Sequence, residues 1–220
     1  LYRDTKPQVV IHLAAVVGGI GANREHPGQY FYENLMMGAQ LIHHGYLNKV
    51  EKFVAVGTIC AYPKFTPVPF KEEDLWIGFP EETNAPYGVA KIAGIKLCES
   101  YNRQHGTDFR SVMPTNLYGP GDNYDLASSH VLPALIRKAH EAKLRGNGEL
   151  VVWGSGTPRR EFLHVDDLAD ACAFLLQLED PPDLVNVGCG SDVTIRELVE
   201  QVAMVVGFQG KIVWDASKPD

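Results

Sequence analysis

Near-continuous apolar runs alternate along the chain with stretches in which apolar residues recur every three or four positions. The run PQVVIHLAAVV (7–17) reads as a strand covered on both faces, as strands of a parallel sheet are. Apolar residues at helical spacing over 29–50 predict a helix, and EKFVAVGTIC (51–60) predicts the next strand. A helix carrying Tyr87 and Lys91 runs to His105 and stops at Gly106. Beyond it the pattern predicts strands at 108–114, 149–154, 183–188 and 210–215, and helices at 129–143, 165–178 and 194–206. Strand and helix in strict alternation predict an α/β fold built on a parallel sheet with right-handed crossovers.

Composition narrows the setting. The 220 residues are 45% hydrophobic and 21% charged, as in soluble globular proteins, and offer enough chain for a main domain with a small second lobe. A net charge of −7 provides no basic footprint for nucleic acid and argues against polybasic membrane binding. No apolar run reaches the roughly 18 residues of a spanning helix and no signal peptide opens the sequence, so a cytoplasmic location is expected. Cys60, Cys98, Cys172 and Cys189 stand far apart, which disfavours zinc and disulfide frameworks; the last three are expected to be buried thiols. His43, His44 and His140, at helical positions, are expected to be exposed or at the core edge.

Ligands of open parallel sheets sit beyond the carboxyl ends of strands, so the residues there carry most of the chemistry. The expected strand ends read Gly18-Gly19-Ile20-Gly21, then Gly57-Thr58-Ile59-Cys60, then Pro114-Thr115-Asn116-Leu117-Tyr118-Gly119-Pro120. Tyr87 and Lys91 share a helix face four residues apart. A phenol titrates near 10, and a nearby ammonium is expected to lower it. A carbonyl held between Thr58 and Tyr87 would be polarised for hydride attack, with Tyr87 supplying the proton. The same Tyr-x-x-x-Lys spacing at Tyr2 and Lys6 lacks a hydroxyl partner after a strand and reads as surface.

Four motifs in order, G-T-x-C-x-Y-P, P-Y-x-x-x-K, P-T-N-L-Y-G-P-G-D-N and W-G-S-G-x-x-R-R-E-F-x-H-V-D-D, resemble the extended short-chain dehydrogenase/reductase family of nucleotide-sugar enzymes. Within it the resemblance, from Pro7 to Asp220, is to epimerase-reductases that use NADPH on GDP-4-keto-6-deoxy-D-mannose. The family implies a Rossmann-like doubly wound parallel sheet with a smaller α/β substrate lobe. It implies Tyr87 as acid, Lys91 as ribose holder and Thr58, often serine in relatives, as ligand of the C4 oxygen. It suggests Cys60 as base and His130 as acid for inversion at C3 and C5, which needs groups of moderate pKa on both sides of the sugar. It implies that Val56, Gly57, Thr58, Ile59, Lys91, Pro114, Thr115, Asn116, Leu117 and His130 line the cofactor. Lys138, Trp153 and Arg160 would hold the diphosphate and guanine, with Lys211 and Asp220 as further candidates; Arg159 reads as a solvated loop charge, and Trp153 as a core aromatic equally with a stacking surface.

No G-x-G-x-x-G turn follows the first strand, since Arg24 stands where the third glycine would fall after Gly19 and Gly21, and the Gly18–Gly21 stretch matches a substrate-side loop of the family. The chain is therefore expected to be a fragment without the pyrophosphate-binding half and the extreme C-terminus. Residues 1–120, joined by a returning strand near 149–190, would form the partial NADP-binding domain, and parts of 121–150 and 190–220 the substrate lobe. The resemblance also implies a homodimer through the helices at 29–48 and 86–105. Another nucleotide-sugar epimerase or dehydratase, and a catalytically silent nucleotide-binding relative, remain as alternatives; the former weakens on Ile59-Cys60, where a dehydratase would carry an acidic pair.

Overall fold

The computed structural model describes residues 1–18, 20–146 and 148–218. It divides into two compact units, Leu1–Thr115 with Asp166–Val187, and Asn116–Val165 with Gly188–Asp220.

The first unit begins with a short helix α1 (Tyr2–Thr5), then β1 (Val9–His12), α2 (Ile20–Glu25), α3 (Pro27–Leu47), β2 (Lys52–Val56), α4 (Ala85–His105) and β3 (Asp108–Pro114). The chain returns to this unit as α6 (Val165–Gln177) and β8 (Leu184–Val187). Four parallel strands lie in the order β1-β2-β3-β8, so the strand that joins from later in the chain is 184–187. Residues 53–55 and 109–114 are buried without alternation, as the unbroken apolar patterning requires of inner parallel strands. Phe53 and Phe109, with ring centroids 5.3 Å apart, pack with Ile42 of α3 and Cys98 of α4 into one core. Gly106 ends α4 in the left-handed conformation at φ 65°, the glycine stop read from sequence.

Three expectations are corrected in this unit. The first strand spans only Val9–His12, at the edge of the described sheet, and Val9 and Ile11 are 45% and 42% exposed, so it is not covered on both faces. Tyr2 is not a surface residue: it is 7% exposed in the core, and its hydroxyl donates to the Leu41 carbonyl at 2.8 Å, an anchor supplied from α3. The 59–60 end of the second predicted strand is a 3₁₀ turn.

The second unit holds β4 (Asn116–Tyr118), α5 (Val131–Leu144), β5 (Glu149–Trp153), β6 (Arg159–Arg160), β7 (Phe162–His164), β9 (Val193–Thr194), α7 (Ile195–Val206) and β10 (Lys211–Asp215). Its strands pair two by two: β5 with β10 and β4 with β7 in parallel, β6 with β9 antiparallel. Leu132 and Leu135 of α5, Leu150 and Val152 of β5, and Leu198, Val199 and Val202 of α7 make its core. A capping box starts α7: Thr194 Oγ1 accepts the Glu197 N–H at 3.1 Å, and the Glu197 carboxylate accepts the Thr194 N–H at 2.7 Å. Cys189 is exposed rather than buried, because residues 188–192 leave β8 as a loop; its thiol lies 3.3 Å from the Ser191 carbonyl. No helix among the described residues is long and apolar enough to cross a membrane.

Candidate active site

β2 ends at Val56, and the Gly57 N–H still bonds the Val112 carbonyl of β3 at 2.8 Å, so the two strand ends stay side by side. Thr58, in extended conformation, caps the 3₁₀ turn Ile59–Ala61, its hydroxyl accepting the Cys60 N–H at 3.3 Å. Pro86 fits the first turn of α4, where its missing N–H costs nothing, and Tyr87 and Lys91 follow one turn apart. Gly88 lets this turn approach the first. A Cβ there would stand 3.0 Å from the Cys60 carbonyl oxygen and 3.3 Å from the Ala61 Cα. Thr58, Cys60, Tyr87 and Lys91 thus belong to two local turns, packed backbone to backbone within one unit.

Electrostatics corrects one expectation. The Tyr87 phenol, 8% exposed, is pushed well above its ordinary range by burial and then by the neighbouring Cys60, not drawn down by Lys91. The Lys91 ammonium lies 5.7 Å from the Tyr87 ring centroid and donates to the Val56 carbonyl at 3.0 Å, so its charge is tied to the strand end. Burial lowers Lys91 to about 8. A phenol of this kind holds its proton at neutral pH and releases it only to a strong base, such as the alkoxide that forms when a ketone is reduced. His12, which sequence reasoning did not single out, ends β1 at 6% exposure and is lowered to about 4 by burial and then by the Lys91 charge. Its signal was the lone polar residue in the VVIHLAA run.

Pro114 ends β3, the strand paired with β2, and the N–H of Thr115, just after it, bonds the Val187 carbonyl at 3.1 Å. A cation tied to a strand end, two hydroxyls and adjoining strand-end backbone form a donor set that suits the ribose and carboxamide of a nicotinamide nucleotide. By that chemistry, Lys91, Val56, Gly57, Thr58, Ile59, Pro114 and Thr115 fit the nicotinamide-ribose end of NADPH.

The second unit holds the other candidates. Asn116 and Leu117 belong to β4, where the Asn116 side-chain amide donates to the Glu161 carbonyl at 2.9 Å. His130 is exposed at the N-cap of α5 and makes no side-chain capping bond. Lys138 Nζ lies 5.1 Å from the Trp153 ring centroid and Lys218 Nζ 5.6 Å from it. Lys138, Arg145, Glu149 and Trp153 line a cavity of about 540 Å³. At 53% exposure Trp153 is not a core aromatic, and an exposed indole with two ammonium groups near its ring has the chemistry to meet a base and its phosphates. Arg160 is not among the residues around this cavity; it is exposed on β6 and bonds the Arg159 carbonyl at 2.8 Å. Arg159, read as a solvated loop charge, pairs with Asp192 at 2.8 Å. Lys211 is exposed at the start of β10, and Gly19 and Asp220 lie outside the described residues.

The NAD dependent epimerase/dehydratase family matches residues 1–188. GDP-L-fucose synthase 1 of Arabidopsis thaliana is 53% identical over 219 residues, covering 100% of this chain and 68% of that protein. GDP-L-fucose synthase of Escherichia coli (strain K12) is 53% identical over 216 residues, covering 94% of this chain and 67% of that protein. Among solved structures, a GDP-D-glycero-L-gluco-heptose synthase from Campylobacter jejuni, crystallised in the presence of NADPH, superposes with a TM-score of 0.91 at 36% identity, covering 97% of this chain and 74% of that one.

Proposed function

The chain belongs to the NAD dependent epimerase/dehydratase family, and we propose that it carries the reacting groups of an NADPH-dependent enzyme that converts GDP-4-keto-6-deoxy-D-mannose to GDP-L-fucose. The observation that supports this reading best is the packing of the Thr58–Cys60 turn against the Tyr87 turn through Gly88, beside the Lys91 ammonium.

In this reading Thr58 and Tyr87 donate hydrogen bonds to the C4 oxygen of the sugar. That polarisation serves twice. It stabilises the enolate formed when Cys60 takes a proton from a carbon next to the ketone, with His130 returning one to the opposite face, at C3 and then at C5 or in the reverse order. It then prepares the epimerised ketone for reduction. Bound NADPH supplies the hydride, and Tyr87 protonates the developing alkoxide. Lys91 holds the nicotinamide ribose from its anchor on Val56. Lys138 and Trp153, which line one cavity, receive the guanosine diphosphate, and Arg160, which does not line it, is a separate candidate for a phosphate oxygen. The intact protein is a dimer in which a second copy covers the α3–α4 pair, where Tyr32 and Leu47 are 64% and 55% exposed; a monomer by light scattering would remove that part.

The test is product analysis with the full protein, the keto-sugar and NADPH in deuterated water. GDP-L-fucose labelled at C3 and C5 is the expected product. Tyr87→Phe is expected to slow NADPH oxidation by about 10² or more, the scale of losing a positioned proton donor. Cys60→Ser is expected to stop deuterium entry while direct reduction of the ketone continues. Normal label uptake in Cys60→Ser removes that residue from the mechanism, and unaltered NADPH oxidation in Tyr87→Phe removes the whole reading.

A further inference from the structure

Asn186 sits third in β8, opposite Met113 of β3, at a position where a parallel strand ordinarily carries an apolar residue. Three of its bonding groups, both ends of the side-chain amide and the backbone N–H, reach one loop. Its Oδ1 accepts the Tyr62 hydroxyl at 2.6 Å, its side-chain amide donates to the Phe70 carbonyl at 3.2 Å, and its backbone N–H donates to Glu72 Oε1 at 2.7 Å. Tyr62, 4% exposed, is the residue that closes the Cys60 turn: its N–H bonds the Ile59 carbonyl at 3.1 Å, and its ring lies 4.8 Å from that of Phe70. Burial raises the Tyr62 phenol to about 12, the bond to Asn186 opposing and Glu72, Asp74 and Glu73 adding to the rise, so it remains a donor at working pH.

The turn holding Cys60 is therefore pinned at both ends. Thr58 holds its start through a bond two residues long, and Asn186 holds its end from 124 residues away. Between this turn and α4 the chain has no strand, only the 3₁₀ turn Glu72–Trp76 and an isolated bridge between Pro63 and Pro80, so no ladder of backbone bonds fixes it. The groups assigned to reduction are held otherwise: Lys91 by the Val56 carbonyl, Tyr87 by its place in α4.

We propose that Tyr62 and Asn186 are positioning residues for the Cys60 thiol, acting on the proton transfers at C3 and C5 and not on ketone reduction. The proposal rests on the functional reading above. Proton abstraction depends steeply on the placement of the base. Freeing one end of the turn therefore slows epimerisation while the Thr58–Tyr87 pair continues to reduce the unepimerised ketone.

The experiment uses the full protein with Tyr62→Phe, Asn186→Leu and both together, and reads the ratio of unepimerised to epimerised reduced sugar. Partial unfolding lowers both products alike and leaves the ratio unchanged, so a merely structural role does not move it. Each single variant is expected to raise the ratio about three- to tenfold, the scale of one hydrogen bond, and the double variant no further than Asn186→Leu alone, which already removes both the bond to Tyr62 and the bond to Phe70. In parallel, the iodoacetamide alkylation rate of the Cys60 peptide is expected to change severalfold while that of exposed Cys189 stays constant. An unchanged ratio overturns the proposal, whatever happens to alkylation. If the unaltered protein yields no reduced sugar, the functional reading fails, and an unchanged Cys60 alkylation rate then overturns the positioning of the turn as well.

Discussion

Lys91 shows what a single buried charge, proposed to serve the reaction, costs the fold. Burial brings its pKa from 10.5 to about 8, so at pH 7 the native state still carries an ammonium that water would hold better. Between pH about 8 and 10.5 the unfolded chain binds more protons at this residue than the folded one, and its contribution to stability rises with pH across that window. Below pH 8 the cost is present in full. Lys91→Met is accordingly expected to abolish reduction yet raise stability by about 1–3 kcal/mol at pH 7, with the gain fading above pH 10. Urea unfolding at pH 7 and pH 10 checks it; an equal loss of stability at both values would mean that the bond to the Val56 carbonyl outweighs the desolvation. The residue types of this site were legible in the sequence because a hydroxyl, a thiol, a phenol and an ammonium stand at strand and helix ends. The direction of the Tyr87 shift was not, since a Tyr–Lys spacing gives no depth of burial, and depth decides between the ammonium and desolvation.

At the scale of elements, α4 carries two glycines that a helix-propensity argument treats alike and the packing does not. Gly94→Ala would place a Cβ 3.8 Å from Ile42 Cδ1, ordinary contact, and is expected to stabilise by about 0.5–1 kcal/mol through helix propensity. Gly88→Ala would place one 3.0 Å from the Cys60 carbonyl oxygen and 3.3 Å from the Ala61 Cα, backbone atoms that cannot swing aside. It is expected to cost about 1–3 kcal/mol by overpacking and to suppress the Cys60-dependent deuterium uptake. Denaturation midpoints of the two variants, moving in opposite directions, are the check; a stabilised Gly88→Ala protein would show that the turn yields freely. The long elements were readable because each carries its own period and stops: α4 by Pro86 and Gly106, α7 by the Thr194–Glu197 box. β4, β6, β7 and β9 were not, because two or three residues hold no period and their partners lie far along the chain, as Asn116 opposite Phe162 does. The Tyr62–Asn186 bond escaped for the same reason: a polar residue in a strand gives no sign of which loop it receives.

On the scale of the whole molecule, the chain passes between its two units after Thr115, after Val165 and after Val187, while each unit closes its own core. Three passages by short connections do not by themselves make two cores melt together; cooperativity requires that opening one expose apolar surface of the other. The core of the second unit is an α5–β5–α7 arrangement complete in itself, with Val199 and Ala139 fully enclosed, so its opening is expected to be a separate event. Thr194→Ala removes the cap of α7 at a cost of about 1 kcal/mol. In a molecule with two cooperative units, that loss speeds amide exchange about fivefold in α7, α5, β5 and β10 and leaves β2, β3 and α4 at their original rates. Hydrogen exchange read by mass spectrometry, peptide by peptide, distinguishes this from a single cooperative unit, in which the most protected amides of both halves would speed up together. The outcome bears on the proposed reaction, which draws Tyr87 and Cys60 from one unit and His130, Lys138 and Trp153 from the other. With separate unfolding units, Thr194→Ala is expected to raise the KM for the nucleotide sugar at elevated temperature before the Cys60 alkylation rate changes at all.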